Sequence, residues 1–144
     1  IWIFYAWAGV KTELEGLETD YFAFADLDSV FDFYTPVIIA NNTFLAEEPE
    51  TARAFLDAVS RGYGFAIEHP QEAGEILCKA APELDPDLVK ASQEYLADKY
   101  QADAPQWGYI DQERWDAYYA WLNEKGLTET PIEAGTGSSN EYLP

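Results

Sequence analysis

The chain has 144 residues, 27 acidic and 8 basic, for a formal charge of −19. That length can bury one ordinary domain core, and a 48% apolar share is globular rather than disordered. A surface this negative repels phosphate backbones and anionic lipid, which argues against nucleic-acid and peripheral-membrane binding and is otherwise accounted for by solubility. No run of 18 apolar residues occurs, so no membrane-spanning helix is expected. The single cysteine, Cys78, excludes an internal disulfide. It sits beside Ile76 and Leu77 in a helical register, where a buried structural thiol is expected. There is no methionine, and position 1 already lies in an apolar run. A fragment of something larger is therefore expected.

In chain order, Ile1-Trp-Ile-Phe-Tyr5 is apolar and β-prone, which predicts a buried strand. Ala6-Trp-Ala-Gly9 predicts a turn, and Val10, Leu14 and Leu17 predict a short helix ending near Gly16. Tyr21-Phe-Ala-Phe-Ala25 reads as a second strand. A β-α-β order predicts a parallel pair, and two such strands need further partners, from sequence outside the chain or from a second copy. Asp26–Phe33 is acidic and irregular. Tyr34-Thr-Pro-Val-Ile-Ile-Ala-Asn-Asn42 is the most strand-like stretch, with Pro36 suited to a strand start or edge. It divides a mixed N-terminal part from an almost continuous series of helices.

Asn42-Thr43 predicts the cap of a short helix over 44–48, and Pro49 suits the first turn of the next. Ala52, Phe55, Leu56, Val59 and Tyr63 mark the clearest helix, running toward Ile67 and stopping before His69-Pro70. Ala73, Ile76, Leu77 and Ala80 predict the apolar face of a helix over 71–81. Asp85-Pro86 predicts a capped start for a helix whose stripe is Leu88, Ala91, Tyr95 and Leu96. Asp111 caps a last helix with Trp115, Tyr118, Tyr119 and Leu122 at core spacing, ended by Gly126. The polar tail, 128–144, is left either loose or packed across another lobe.

Catalytic signals are weak. His69 is the only histidine and precedes a proline at a helix junction, where a capping or surface role is expected. One His and one Cys make no zinc constellation. Gly135-Thr-Gly137 lacks the lysine and flanking elements of a phosphate loop. The acids Glu47, Glu48 and Glu50 read as a solvated face. Aromatics are the unusual feature. Most lie on helical stripes and read as core. Tyr5 and Trp7 instead fall where the first predicted strand gives way to a helix, the place where open α/β sheets bind ligands. They read either as stacking residues for a flat ring or as packing between layers.

The chain resembles the C-terminal half of a periplasmic-type substrate-binding protein of bacterial ABC importers, and within those the NMT1/THI5-like group, which handles thiamine pyrimidine precursors. The matching stretches are Trp2-Ile-Phe-Tyr-Ala-Trp-Ala-Gly9, Tyr34-Thr-Pro-Val-Ile-Ile-Ala-Asn41, Ala54-Phe-Leu-Asp-Ala-Val-Ser-Arg-Gly-Tyr-Gly-Phe-Ala66, Ser92-Gln-Glu-Tyr-Leu-Ala-Asp-Lys-Tyr100, Ala104-Pro-Gln-Trp-Gly108 and Asn140-Glu-Tyr-Leu-Pro144. The resemblance implies a helix-rich α/β fold, the C-terminal part of a type II periplasmic-binding-protein-like architecture: a β-α-β unit, a hinge strand, then four to five helices. Residues 1–30 would end the second lobe, 31–42 form the hinge crossing, 43–127 the helical part of the first lobe, and 128–144 the tail, with the N-terminal half of the parent absent.

The implied function is capture of a small heterocyclic nutrient outside the cytoplasmic membrane, by lobe closure, for delivery to an ABC permease. No cofactor and no catalysis are implied. Tyr5, Trp7, Tyr34 and Thr35 are the expected ligand contacts, with Trp107 either a rim or a packing residue. Members of the group carry an aromatic and a carboxylate in the loop after the first strand. Here that loop reads Ala6-Trp-Ala8 and offers no acid, so riboflavin-type and other flat solutes stay open. The alternative is an enzyme of the same family that makes the thiamine pyrimidine. A homodimer of this segment is also expected, since its strands need partners.

Overall fold

Wherever the sequence sets a cap before a 3.6-residue apolar stripe, a helix forms. The computed structural model describes residues 1–144. It contains α1 (Val10–Leu14), α2 (Phe24–Leu27), α3 (Asn42–Glu47), α4 (Pro49–Glu68), α5 (Pro70–Ala80), α6 (Pro86–Ala97) and α7 (Gln112–Glu124). A π-helical turn over Tyr5–Gly9 leads into α1, and a 3-10 turn covers Ser29–Phe31. Asp85 caps α6 by accepting from the amides of Asp87 and Leu88, and Asp111 caps α7 by accepting from that of Arg114. The cap of α3 is Asn41, one residue earlier than expected. Gly16 and Gly126 follow α1 and α7 at φ 66° and 63°, left-handed values that favour glycine. No helix is long and apolar enough to cross a membrane.

The three expected strands do not form. Residues 1–4, 21–23 and 34–41 carry no strand, and Phe24–Leu27 turns into α2. The backbone is extended at Phe4 (φ −92°, ψ 117°), Ala23 (−82°, 140°) and Asn41 (−75°, 134°). Strand-like dihedrals are thus present without a ladder. An extended segment cannot pair its own amides and carbonyls, and a lone β-α-β unit offers too few neighbours. Consequently Ile1 is fully exposed, and Phe4 and Ile39 are 66% and 88% exposed.

The chain divides into two compact units, one comprising Ile1–Asp20 with Asp57–Trp107, the other Tyr21–Leu56 with Gly108–Pro144. In the first unit α5 packs on α6, and α1 with its preceding turn also lies against α6. Val10, Leu88, Val89 and Ser92 are its buried side chains. The inner face of α5 is not the one that its large apolar residues suggest. Ile76 and Leu77 are 57% and 43% exposed. Gly74 is buried instead, with Pro70, Cys78 and Ala81 half-buried on the same stripe. These small residues let the α6 backbone approach: a Cβ on Gly74 would lie 3.6 Å from Lys90 Cα and Val89 Cγ1. Cys78 is accordingly half-buried rather than buried. Gly9 is another close approach, because a Cβ there would run into the Tyr5 ring at 2.5 Å.

In the second unit the first turns of α4 bury Ala52, and α7 packs against the 3-10 turn. Rings run in sequence from Phe22 to Phe24, Phe31, Trp121 and Tyr118, with centroid separations of 5.2–6.0 Å. The tail is held, not loose. Asn123 donates to Ile132 O and accepts from Ile132 N. Asn140 accepts from Ile110 N and donates to Ile110 O, at 2.9 and 2.8 Å. Arg53 reaches Glu141 and lies over the Tyr142 ring.

The contacts around Gly74 are ordinary van der Waals separations. Gly74→Ala should therefore raise stability by about 0.5–1 kcal/mol through lower unfolded-state entropy. Gly74→Leu should lower it by about 1–3 kcal/mol through overpacking. Urea denaturation followed by circular dichroism checks both; a loss with alanine would contradict the fit described. A further prediction concerns Tyr100, whose hydroxyl donates to Gln93 Oε1 beside Tyr63. Burial raises its phenol above the ordinary value, only partly countered by Gln93. The folded chain then holds this proton to higher pH than the unfolded one. The stabilisation is full below the ordinary tyrosine value of about 10 and is lost as pH rises through the elevated one. Tyr100→Phe should remove that alkaline component from a spectrophotometric titration; an unchanged curve would contradict it.

Candidate functional site: an aromatic cleft on α7

Residues 31–35 lie along α7, and two side chains fix them there. Arg114 donates through Nε to the carbonyl of Asp32 and through Nη2 to its carboxylate. The same guanidinium lies 4.4 Å over the Tyr34 ring. The Tyr34 hydroxyl in turn accepts from the amide of Asp111, at 2.9 Å, at the start of α7. Tyr34 is therefore held at its ring face and at its hydroxyl. Phe33 stacks on Tyr118 (4.5 Å, 28°) and Tyr34 on Trp115 (6.4 Å, 29°), while Tyr119 meets Trp115 edge-on at 5.7 Å.

Phe33, Tyr34, Trp115, Tyr118 and Tyr119 line a cleft of about 190 Å³. None of the five carries a formal charge at neutral pH. The tail is bonded to α7: Trp115 donates to Thr136 O, Gly135 N donates to the Asp116 carboxylate, and Gly137 lies against Tyr119. Glycine is required at position 137, where φ is 78° and a Cβ would sit 2.5 Å from the Tyr119 hydroxyl.

Of the expected ligand contacts, only Tyr34 enters this cleft. Thr35 follows it, exposed, before a cis peptide to Pro36. Tyr5 and Trp7 belong to the other unit. Tyr5 packs on Tyr95 (5.3 Å) and its hydroxyl donates to Glu13, while Trp7 is 39% exposed. Trp107 stacks on Tyr63 at 4.4 Å and 19°. The larger depression at the α4–α5 junction is a crease of consecutive residues, Glu68 to Glu72, in which the Glu68 and Glu72 carboxylates lie 4.0 and 3.7 Å from the His69 ring nitrogens. His69 sits there at the cap position of α5, half-exposed and making no capping bond. No three His, Cys, Asp or Glu side chains gather to hold a metal ion.

Three of the cleft residues, Trp115, Tyr118 and Tyr119, escaped sequence reasoning because their spacing on α7 is that of a core stripe, and Phe33 because it ends an acidic, irregular stretch. The signal was in the composition: Trp115, Tyr118 and Tyr119 are all rings, and only Leu122 is aliphatic. Aliphatic stripes are buried by packing, whereas rings with polar edges suit a wetter surface. Here all three are half-buried.

Residues 1–73 match the family described as NMT1/THI5 like. The chain belongs to this family. It is 28% identical to the formylaminopyrimidine-binding protein of Halalkalibacterium halodurans, over 83% of this chain and 37% of that protein. It is 24% identical to the riboflavin-binding protein RibY of Chloroflexus aurantiacus, over 94% of this chain and 39% of that one. It is 36% identical to the 4-amino-5-hydroxymethyl-2-methylpyrimidine phosphate synthase of Candida albicans, over 77% of this chain and 31% of the enzyme. The chain thus spans less than two fifths of each of these family members.

The cleft gives a steric prediction. Gly137→Ala should cost about 1–2 kcal/mol from left-handed strain alone, plus the clash with the Tyr119 hydroxyl. Adding Tyr119→Phe should recover the clash and leave the strain. Denaturation midpoints of the two single variants and the double variant decide it; simple additivity would contradict the contact.

Proposed function

We propose that this chain is part of the solute-binding component of an ABC importer and that it captures a small heterocyclic nutrient, a thiamine pyrimidine precursor or a similar flat solute. Its support is family membership together with a ring-lined cleft containing Tyr34. Two of the relatives are named for binding a pyrimidine and a flavin, and stacking surfaces suit such rings. In the longer protein we assign ligand contacts to Tyr5, Trp7, Tyr34 and Thr35, of which Tyr34 alone lines the cleft described above.

In this reading the longer protein has a type II periplasmic-binding-protein-like fold and works outside the cytoplasmic membrane. Residues 1–30 end one lobe, 31–42 cross between lobes, and 43–127 with the tail complete the other. The extended apolar segments become strands of a larger sheet there. Solute binding shifts the population toward the closed form, which docks on the permease. Without that sheet, the 144-residue chain associates with a second copy through the same segments. A second reading, an enzyme producing the thiamine pyrimidine, is favoured by the similarity to the Candida albicans synthase.

Equilibrium binding by the full-length protein to an aminopyrimidine and to riboflavin tests the proposal. One of them should bind reversibly and be recovered unchanged; conversion to product would favour the enzyme. Trp7→Ala and Tyr34→Ala should each weaken binding about tenfold. A folded protein that binds neither solute contradicts the proposal. For the 144-residue chain, light scattering should report a dimer, and a strict monomer at high concentration would contradict the pairing.

A further inference from the structure

We propose that the cleft on α7 selects for positive charge, so that the group it takes is a cationic nitrogen of single-ring size or smaller. This rests on reading the cleft as a solute site and adds to it a charge preference. Ring faces carry the negative end of the aromatic quadrupole, and five rings converge here without one charged lining side chain. A cation already uses one of these faces: the Arg114 guanidinium lies 4.4 Å over Tyr34.

That charge does not repel a second cation strongly, because the Asp32 carboxylate pairs with it. Two further carboxylates stand beside the cleft. Asp111 and Asp116 accept only neutral N–H donors, from the Arg114 amide and from Gln112 and Gly135. The immediate surroundings therefore hold three carboxylates against one guanidinium, in a chain of charge −19. The long-range field and the ring faces act in the same direction, raising the local concentration of cations and holding them over the rings. The volume, about 190 Å³, falls below the roughly 300 Å³ at which drug-sized sites begin. That accommodates one ring or a trimethylammonium group.

N-methylpyridinium and toluene test this, because they share shape and electron count and differ by one charge. Calorimetry and ligand-observed NMR on the 144-residue chain should show the cation binding about tenfold more tightly, although toluene is the more hydrophobic. Trp115→Leu should abolish the preference and Trp115→Phe, which keeps a ring, should retain most of it, with circular dichroism confirming that both fold. Equal or tighter binding of toluene overturns the proposal, as does binding of neither, or a preference unmoved in a folded Trp115→Leu. Including an aminopyrimidine and riboflavin separates the two ideas. Heterocycle binding without a charge preference overturns the charge selection and leaves solute binding standing. A charge preference that maps to Trp115, with no heterocycle bound by the full-length protein, supports the cleft and overturns the heterocycle reading.

Discussion

An extended segment leaves its backbone amides and carbonyls unpaired until another strand lies beside it, and that constraint shapes this chain throughout. Helices satisfy their own backbone groups, so each capped stripe folds where the sequence sets it. The three most β-prone segments are extended at Phe4, Ala23 and Asn41 and gain no ladder. Few of their apolar side chains are buried: Trp2, Phe22, Ile38 and Ile39 stay exposed. Full burial is limited to a few positions, chiefly Val10, Ala52, Leu88 and Val89. Where the cores are this small, side-chain bonds to loop backbone take on more of the work of ordering the chain.

The second unit shows how. Arg114 holds residue 32 by carbonyl and carboxylate and covers the ring of residue 34. Tyr34 returns a hydroxyl to the amide at the start of α7. Asn123, Asp116 and Asn140 do the same for residues 132, 135 and 110. Each such bond contributes only about 1 kcal/mol, and the Arg114–Asp32 pair is partly exposed and screened. Their value lies in number and in placement, because together they set five rings around one space. Stacking residues that are already positioned lose little freedom when a ligand arrives.

The starts of α3 to α7 were legible to within two residues, because caps and prolines are local signals, whereas α2 lies in a stretch that read as a strand and the ends of α1 and α6 come about three residues earlier than expected. Asp85-Pro86 and Asp111 mark their helix starts without help from the rest of the fold. Strands were misread because a β-prone run states a preference and not a partner. The face of α5 was misread for a related reason: Ile76 and Leu77 are its largest apolar residues, yet contact with α6 needed the small residues at 74 and 78. Tyr34 was expected as a ligand contact from the family resemblance, but its partners were not. Asp32 and Arg114 are 82 residues apart and Tyr34 and Asp111 are 77 apart, and nothing in local spacing joins them.

Solute capture as proposed requires a cleft that is assembled before any ligand arrives. Amide hydrogen exchange on the ligand-free chain measures this directly, at the amides of Ile110, Asp111, Ile132 and Gly135, each bonded to a side chain rather than to a helix. Exchange at these four amides slowed well below open-chain rates, alongside α7, is the predicted result. Open-chain rates at all four, with α7 still protected, would mean that the loops and tail do not hold the rings in place, and would contradict it.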